Sequence, residues 1–446
     1  MAKQNSTAFV CSNCGYDSTK WYGKCPECGE WNTMREFATS VGSVKVKTGR
    51  GNTQTQTTKP TKVSEVKLSS VVRVSTGFSE FDRVLGQEEK SGIVPGSVIL
   101  LSGDPGIGKS TILLQTALNL AFEGKRILYV TGEESEAQVT MRAGRLVKAK
   151  KLEDAHLFIL ATSDIDAALT HAQQDKYDLV VIDSIQTMEG RELPGYAGSI
   201  PQVRHATSQL VAFAKGSNTP VMIIGHVTKE GMVAGPQTLA HMVDTVLYLE
   251  GEKMTGVRIL RAFKNRFGDT SEVGIFSMQE YGLSEVTDLS ELFLGGVPSS
   301  PGSCVAVVME GSRPILVEIQ ALTINSNLPY PRRVASGISE KRLELLLAIL
   351  QKHGRLPLDK FDVFVNVVGG FKITETAADL AVCMAIMSSY KAKPLAKIAA
   401  IGEVGLLGEV KKVTQIKKRE QEAAKFKFKI FTHETASSIS AILQKI

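Results

Sequence analysis

The segment from Gly103 to Ser110, which reads GDPGIGKS, constrains the fold of this chain more than any other feature. It matches the pattern GxxxxGK[ST], follows the apolar run 97–102 and precedes a helical stretch at 109–123, which is the context of a phosphate-binding loop. Glycines let backbone N–H groups surround phosphate oxygens at the start of a helix, where the helix dipole also favours an anion. The pattern therefore predicts ATP as a cofactor.

The side chains of this loop suit a nucleotide that is bound together with Mg²⁺. We expect the Lys109 ammonium to reach the β- and γ-phosphates and the Ser110 hydroxyl to hold Mg²⁺. The residues predicted to surround the nucleotide are Gly103, Asp104, Pro105, Gly106, Ile107, Gly108, Lys109, Ser110 and Thr111.

Apolar strand candidates alternate with helical stretches from about residue 68 to residue 286. Such near-continuous apolar strands are typical of a parallel sheet that is covered by helices on both faces. Segments 245–250 and 257–263 predict a later hairpin that turns near Gly256. The strand candidates are 97–102, 126–131, 156–161, 178–183 and 219–225, and the helical stretches include 109–123, 135–150 and 203–216.

Three acidic residues stand where strands of this predicted sheet end. Asp183 closes the run DLVVID, and Glu133 and Glu134 follow the strand that ends in TGEES. Carboxyl ends of parallel strands form the ligand edge of such a sheet, so Asp183 is predicted to hold Mg²⁺. Its alternative role is to cap the next helix. Glu133 is predicted to orient the attacking water, with a plain strand-end cap as the alternative.

Four of the six cysteines form two CxxC pairs near the N-terminus. Ten residues separate the pair Cys11 and Cys14 from the pair Cys25 and Cys28, and a glycine follows each pair. Four thiolates can enclose a zinc ion tetrahedrally and leave no open position for water, which favours a structural Zn²⁺ site. A redox-active cysteine pair is the alternative.

The N-terminal module and the segment after it differ in composition. Residues 1–36 are rich in cysteine and carry Trp21, Tyr22 and Trp31, which either stack on bases or pack the small module. Residues 37–67 are rich in Thr, Ser, Gly and Gln with scattered basic residues, and they predict a flexible basic linker.

Charge and hydropathy exclude several classes of protein. The net charge of +6 permits nucleic-acid binding without being diagnostic of it. No uncharged apolar run approaches the roughly 18 residues of a membrane span, and the N-terminus has no apolar signal core. Clustered CxxC pairs are typical of a reducing compartment. We predict a cytoplasmic protein with no membrane partner.

Residues 287–446 follow neither pattern and predict a separate α+β domain. The four predicted parts of the chain are thus 1–36, 37–67, 68–286 and 287–446. Strand candidates in the last part are 303–309, 315–322, 361–368 and 398–402, and helix candidates are 339–352, 376–389 and 414–425, the last recognisable helix.

Several motifs together resemble the bacterial RadA family of DNA-repair ATPases, which is also called Sms. The resemblance covers essentially the whole chain, and KNRFG at 264–268 is its most specific element. The other motifs are GDPGIGKST, TGEES, VIDSIQT, GHVTKEGMVAGP and HMVDTVLYLEG.

This resemblance implies a RecA-like ATPase core that assembles as a homo-hexameric ring. It further implies binding of single-stranded and branched DNA, branch migration of recombination intermediates, and the RecA recombinase as a functional partner. The basic residues of the family's KNRFG motif, carried over here to Lys264 and Arg266, are expected to act across the subunit interface on the neighbour's nucleotide. A basic hairpin that contacts DNA phosphate or solvent is the alternative.

Two glycine-rich segments, 189–200 and 228–237, follow strand ends as mobile DNA-contacting loops do in RecA-like proteins. Candidate phosphate contacts in and near them are Arg191, Arg204 and Lys229. His226 stands where RecA-like proteins place a γ-phosphate sensor, and a buried structural histidine is the alternative.

Residues 287–446 resemble the proteolytic domain of Lon proteases, which use a Ser–Lys dyad. Ala377 occupies the position of the nucleophile, and an alanine has no oxygen to attack a carbonyl. Lys417 lies near the matching lysine position. We therefore predict a non-proteolytic domain that serves as an assembly platform and DNA-binding surface, with a nucleophilic hydroxyl of Thr374 or Thr376 as a remote alternative. Its candidate phosphate contacts are the clusters Arg332–Arg333, Lys411–Lys412 and Lys417–Arg419.

Three hypotheses on function follow from these observations. The first is a DNA-dependent, helicase-like ATPase that processes recombination intermediates. The second is an ATP-gated protease or chaperone, which Ala377 argues against. The third is a regulatory ATPase switch that is indifferent to nucleic acid, and the cysteine module has no evident purpose in it.

Overall fold

The structure is a computed structural model in which the chain forms two compact units. The first unit comprises Met1–Gly251, Val257–Thr270 and Phe276–Glu285, and the second comprises Glu252–Gly256, Ser271–Ile275 and Val286–Ile446. The boundaries predicted between the four parts of the chain stay predictions. The residues that the structure describes are 6–11, 17–18, 20–27, 29–39, 62, 72–86, 91–147, 151–191, 193, 195–226, 239–251, 256–286, 294 and 300–445.

A small antiparallel sheet begins the first unit. Its strands are β1 (Ser6–Cys11), β2 (Asp17–Ser18) and β3 (Met34–Thr39), in the order β2-β1-β3. Strand β3 runs past residue 36 into the segment predicted as the flexible linker 37–67. The remainder of that linker, apart from Lys62, lies outside the described residues.

A nine-stranded sheet forms the centre of the first unit. Its strands are β4 (Val98–Gly103), β5 (Ile127–Thr131), β6 (Leu157–Ala161), β7 (Leu179–Asp183), β8 (Val221–Ile224), β9 (Thr245–Glu250), β10 (Val257–Asn265), β11 (Val273–Gln279) and β12 (Gly282–Glu285). Their order is β12-β11-β10-β9-β4-β8-β7-β5-β6, and the six strands from β9 to β6 run parallel. Strand β10 pairs antiparallel with β9, as the hairpin prediction required.

Helices cover both faces of this sheet. They are α1 (Ser79–Leu85), α2 (Lys109–Phe122), α3 (Glu136–Leu146), α4 (Ile165–Asp175) and α5 (Ile200–Ser217). Along β4, Ile99 and Leu101 join the apolar core with α1, α2 and α3, whereas Val98 and Leu100 join the core with α4 and α5. A strand that is buried on both faces must be apolar throughout, which is why the runs in the sequence are continuous.

The described part of the second unit contains a mixed sheet and four helices. Its strands are β13 (Ser303–Glu310), β14 (Arg313–Asn325), β15 (Arg333–Ser336), β16 (Phe361–Val367), β17 (Ile398–Ala400), β18 (Glu403–Val404), β19 (Val410–Lys411) and β20 (Lys429–Phe431). Six of them pair in the order β15-β16-β14-β13-β17-β20, while β18 and β19 pair with each other. The helices are α6 (Glu340–Gly354), α7 (Asp379–Lys391), α8 (Ile416–Lys425) and α9 (Ile439–Leu443).

The predicted fold class is confirmed: a RecA-like parallel-sheet core is combined with an N-terminal ribbon and a C-terminal α+β domain. The prediction that 414–425 would be the last helix is wrong, because the short α9 follows it. Helix α3 ends at Leu146, earlier than the predicted 150, and residues 148–150 lie outside the described ranges. Within the described part of the chain, no helix is long and apolar enough to cross a membrane.

Candidate active site

The predicted phosphate-binding loop connects β4 to α2, as expected. Gly106 and Gly108 have left-handed backbone conformations, with φ of +73° and +115°. A Cβ atom on Gly103 would lie only 2.2 Å from the carbonyl oxygen of Leu249 on the neighbouring strand. Glycine is therefore required at Gly103 by the sheet as well as by the turn. The loop curves around the first turn of α2, whose N–H groups are available to phosphate.

Lys109 folds back over this loop. Its ammonium donates to the carbonyl oxygens of Gly103, at 2.8 Å, and Asp104, at 3.0 Å. Burial lowers the pKa of Lys109, and the carboxylates of Asp104, Asp183 and Glu133 act in the opposite direction. A buried ammonium on two backbone oxygens can exchange them for phosphate oxygens, so the loop fits a triphosphate.

Ser110 and Asp183 meet beside the loop. The Ser110 hydroxyl donates to Oδ1 of Asp183 at 3.2 Å, although the two residues are 73 positions apart. Parallel pairing of β4, β8 and β7 brings their carboxyl ends to one edge of the sheet. A hydroxyl and a carboxylate oxygen at this edge are the ligand types that Mg²⁺ prefers, so these residues fit the predicted metal.

The two glutamates after β5 have different surroundings. Glu133 accepts a hydrogen bond from the Ser184 hydroxyl at 2.8 Å and lies 3.6 Å from Nε2 of His226. Glu134 instead forms an ion pair with Arg142 at 3.1 Å. The Glu133 side chain is half exposed and faces the site, whereas Glu134 is held by Arg142. This geometry favours Glu133 over Glu134 as the residue that orients water.

His226 is placed beside the predicted site. Burial and the nearby Lys109 ammonium lower its pKa, while the Glu133 and Asp183 carboxylates act in the opposite direction. The imidazole is therefore neutral at neutral pH. The segment 228–237 that follows, including Lys229, lies outside the described residues.

Two site residues were missed by the sequence reasoning. Tyr129 donates from its hydroxyl to Oδ2 of Asp183 at 2.5 Å, and Arg142 lies 3.5 Å from the same oxygen. Arg142 is about two helical turns beyond TGEES, and Tyr129 looks like an ordinary apolar strand residue. Neither position carries a signal that could be recognised without the pairing of β5 with β7.

Lys264 and Arg266 lie at the other edge of the sheet. The register places Gly103 beside Leu249 but Asn265 beside Thr245, at the start of β9. At about 3.3 Å per residue, this four-residue offset along β9 separates the KNRFG turn from the chain's own loop by about 13 Å. The structure therefore does not bring these cations to the nucleotide site of their own chain.

The two cations of this turn also differ from each other. Lys264 donates to the carbonyl oxygens of Ala240 and Val243, at 2.6 and 2.8 Å, so it stabilises the local turn. Arg266 has a side chain that is 55% exposed, and the ion pair that it forms among the described residues, with Asp244, is long at 3.4 Å. Arg266 is thus the cation that is free to reach another molecule.

The predicted DNA-contacting loop 189–200 follows β7 and is described except for Glu192 and Pro194. The buried Gln202 side chain fastens the loop, since its amide accepts from Gly190 N at 2.8 Å and donates to the Leu193 oxygen at 2.6 Å. Tyr196 projects from the loop and is 79% exposed. Arg191 forms an ion pair with Asp164 at 2.5 Å, and Arg204 is exposed on α5.

Only half of the predicted zinc ligands can be described. Cys11 and Cys25 are buried and belong to one small cluster with Met34, and Gly29 has the expected positive φ of +74°. Cys14 and Cys28 lie outside the described residues. Two buried cysteines from separate CxxC pairs in one cluster fit a tetrahedral thiolate site.

The aromatic residues Trp21, Tyr22 and Trp31 of the ribbon are exposed, whereas Phe9 packs against the cysteine cluster. Trp31 is 68% exposed, Trp21 is 55% exposed and Tyr22 is 39% exposed. The Trp21 indole donates to the carbonyl oxygen of Met34 at 3.2 Å, and Lys24 lies 5.8 Å from the centre of the Trp31 ring. This exposure favours a role in contacting a partner over a role in packing.

In the second unit, Ala377 is buried in a tight turn before α7. Its neighbour Glu375 accepts two hydrogen bonds of 2.7 Å from the guanidinium of Arg419, which is fully buried. Thr376 donates to Glu403 at 3.0 Å, and Lys417 is exposed.

Two of the predicted phosphate contacts in this unit are corrected by the structure. Arg419 is buried against Glu375 and therefore does not face DNA. Arg333 donates to the carbonyl oxygens of Leu358 and Phe361, so it holds the chain in place there. Lys411, Lys412, Lys417 and Lys418 are exposed.

Comparisons with known proteins agree with this geometry. Residues 89–232 match the family described as an AAA domain, and residues 9–36 match a rubredoxin metal binding domain. The chain is similar to the DNA repair protein RadA of Bacillus subtilis strain 168, at 45% identity over 96% of this chain and 92% of the relative. RadA of Pseudomonas aeruginosa is 48% identical over 94% of this chain and 91% of its own.

A third relative, RadA of Campylobacter jejuni, is 44% identical over 96% of this chain and 94% of its own. The crystal structure of the RadB recombinase aligns with 48% of this chain and 99% of that chain at 25% identity, but its TM-score of 0.38 is too low to carry weight. Identity of this level over nearly full length shows common descent of the whole chain. The chain belongs to the RadA family of DNA repair proteins.

Proposed function

We propose that this protein is a DNA-dependent, helicase-like ATPase that binds single-stranded and branched DNA and drives branch migration in recombinational repair. The observation that carries the proposal is one continuous segment after β7. It begins with Asp183 in the nucleotide site and continues into the fastened loop 189–200 with its exposed Tyr196. Nucleotide chemistry and a nucleic-acid contact are thereby linked within about fifteen residues.

At the nucleotide site, the bound Mg²⁺–ATP supplies a γ-phosphoryl group whose transfer develops charge on its oxygens. Lys109 binds the β- and γ-phosphates after leaving the carbonyl oxygens of Gly103 and Asp104. Ser110 and Asp183 hold the metal. Glu133 orients the attacking water and is itself oriented by Ser184. His226, neutral and 3.6 Å from Glu133, reports the state of the site to the chain that follows it.

The second part of the proposal is a homo-hexameric ring. Arg266 is exposed and lies at the edge of the sheet opposite its own site, so its cation is supplied to the nucleotide of a neighbouring copy. Such a cation neutralises charge on the γ-phosphate and completes the site only in the assembly. Lys264 supports the turn that presents Arg266.

DNA contacts form the third part. Tyr196 offers a flat exposed ring on which a base can stack, and base stacking does not require a particular sequence. Arg191 and Arg204 supply positive charge for phosphates. The ribbon, with Zn²⁺ held by Cys11, Cys14, Cys25 and Cys28, presents Trp31 and Lys24 to a partner. A functional partnership with the RecA recombinase and a cytoplasmic location complete the proposal.

The test is the rate of ATP hydrolysis with and without single-stranded DNA, measured at several salt concentrations. We expect stimulation by DNA that weakens as salt rises. Lys109→Ala should reduce turnover by at least about a hundredfold, because a buried cation aimed at the phosphates is lost. Lys125→Ala, exposed in the connection that follows the far end of the same helix, is the matched control.

A rate that ignores DNA at every salt concentration would contradict the motor. It would favour the alternative, a regulatory ATPase switch that is independent of nucleic acid. The exposed Tyr196 on a fastened loop argues against that alternative, because an isolated switch gains nothing from an exposed aromatic side chain there.

A further inference from the structure

The inner face of the nucleotide site contains a polar group that the proposed chemistry does not use. Tyr129 on β5 is completely buried, yet its hydroxyl donates to Oδ2 of Asp183 at 2.5 Å. The guanidinium of Arg142 donates to the same hydroxyl at 3.0 Å and lies 3.5 Å from the same carboxylate oxygen. Both oxygens of Asp183 are thereby engaged, because Oδ1 accepts from Ser110.

We propose that Tyr129 is a positioning residue that fixes which oxygen of Asp183 faces Mg²⁺. This inference rests on the proposed nucleotide chemistry. The Tyr129 hydroxyl donates a hydrogen bond to Oδ2 of Asp183 on the buried side of the carboxylate. Oδ1 therefore remains directed at Ser110 and the metal position. Arg142 supports the phenol from the side and ties it to Glu134.

The local structure explains why a tyrosine is suited to this task. Strands β5 and β7 are adjacent and parallel, with Thr131 beside Asp183 in the register, so Tyr129 approaches the carboxylate from the neighbouring strand. A tyrosine hydroxyl is protonated at neutral pH, so it acts as the donor to Oδ2 of Asp183.

A carboxylate on a strand end can rotate about its terminal torsion, which is broad for an aspartate. Without the phenol, Oδ2 retains only the guanidinium at 3.5 Å, and the two oxygens can exchange between the metal and the interior. The fixed orientation lowers the reorganisation that metal binding requires. The expected consequence is a change in the response to Mg²⁺ and not a general loss of nucleotide binding.

The experiment compares the full-length protein with Tyr129→Phe, which removes one oxygen atom. Binding of a fluorescent ADP analogue is titrated in EDTA and then at increasing MgCl₂, and ATP turnover is measured over the same series. We expect the Mg²⁺ concentration at half-maximal response to rise about tenfold, the scale of one hydrogen bond to a charged group, while affinity in EDTA stays within about twofold.

Tyr177→Phe is the matched control. Its phenol is also largely buried in the first unit and also contacts an acid, Asp175 at 3.5 Å, but that acid is not at the nucleotide site. This variant should leave the Mg²⁺ response unchanged. If Tyr129→Phe does not fold, as judged by its thermal transition, Arg142→Gln is measured in the same way and should shift the Mg²⁺ response in the same direction.

Two results would overturn the inference. One is an unchanged Mg²⁺ response, and the other is an equal loss of affinity with and without Mg²⁺, which would indicate a merely structural role. The binding titration does not depend on turnover. A wild-type protein that binds nucleotide but does not hydrolyse it would therefore defeat the proposed function while this measurement still decided the role of Tyr129.

Discussion

Each unit of the chain has a polar turn that leads from the sheet region into an apolar helix, and the two turns differ in how their polar groups are engaged. Before α2, Lys109 rests on carbonyl oxygens of its own loop, and Glu133 nearby is half exposed. Before α7, both carboxylate oxygens of Glu375 accept hydrogen bonds from the buried Arg419. The backbone amide of Leu380 donates to the carbonyl oxygen of Gly402 at 3.1 Å.

The two turns differ in whether their hydrogen bonds can be exchanged for hydrogen bonds to a ligand. The lysine of the first turn can trade backbone oxygens for phosphate oxygens at little cost, because it remains solvated by equivalent groups throughout. Glu375 of the second turn cannot be released without leaving the buried Arg419 guanidinium without its counter-charge, which is strongly unfavourable. The first turn is built to accept a ligand, and the second is built to stay closed.

The largest effect should come from Arg266→Ala, which tests whether the first turn is complete within one chain. We expect turnover to fall by about a hundredfold to a thousandfold while nucleotide affinity changes little, because the cation acts on the transition state of a neighbouring site. Arg261→Ala, on the strand β10 that ends one residue before Arg266, is the matched control. Mixing Arg266→Ala with Lys109→Ala chains should restore part of the activity, and a complete failure to do so would argue against action between subunits.

The closed state of the second turn is tested by Arg419→Met. Loss of the guanidinium leaves Glu375 with an uncompensated charge, so we expect the second unit to lose about 3 kcal/mol of stability. Hydrogen exchange of the β13 and β14 amides measures this directly. The neighbouring exposed Lys418→Met is the control and should have no such effect. Adding Glu375→Gln to Arg419→Met should recover part of the loss, since it removes the orphaned charge.

A smaller effect concerns His226 and pH. Burial and Lys109 lower the pKa of His226 in the folded chain, so the unfolded chain takes up this proton first as pH falls below about 6.5. Its contribution to stability is therefore full above that pH and is lost as pH falls towards the folded-state pKa. We expect His226→Gln to be less sensitive than wild type between pH 6.5 and 5.5, by less than about 1 kcal/mol.

Thermal unfolding of the first unit at three pH values measures this difference. The exposed His171→Gln is the control, and it should follow the wild-type profile. Identical pH profiles for wild type and His226→Gln would show that the histidine is not held neutral by its surroundings.

The last substitution is expected to have no effect on peptidase activity. Ala377→Ser restores a hydroxyl at the position of the Lon nucleophile, yet we expect no peptidase activity with or without ATP. The turn remains closed by Glu375 and Arg419, and Lys417, near the matching lysine position, is exposed. Degradation of an unfolded substrate protein, followed by gel electrophoresis, is the measurement. Cleavage by the variant would mean that the second turn is far less rigid than its contacts imply.

The major elements of the fold were accessible from the sequence because they carry long periodic signals. Buried parallel strands such as β4 are continuous apolar runs, and α2 follows a glycine-rich loop of known form. Several of the elements that were not predicted are short, since β15 has four residues, β20 three and α9 five, although the longer α4 and β11 were not predicted either. Segments as short as β15, β20 and α9 contain too few residues to establish a period, and tertiary contacts decide their conformation.

The candidate site divides in the same way. Lys109, Ser110 and Asp183 were found because strand-end chemistry and loop spacing are local in sequence. Tyr129 and Arg142 were missed because their relation to Asp183 exists only after β5 and β7 pair. The predictions for Arg333 and Arg419 were wrong in a different way. Both were predicted to contact phosphate at the surface, but in the structure they donate hydrogen bonds to backbone carbonyl oxygens of their own unit.

The position of the KNRFG turn at the far edge of the sheet has a genetic consequence if its cation serves the next copy. A chain that lacks Lys109 inactivates only its own nucleotide site, and a chain that lacks Arg266 inactivates only the nucleotide site of its neighbour. A chain with both defects silences two. In a cell that makes defective and normal copies together, the double variant should therefore be more dominant than either single variant, with no change in how well any copy folds.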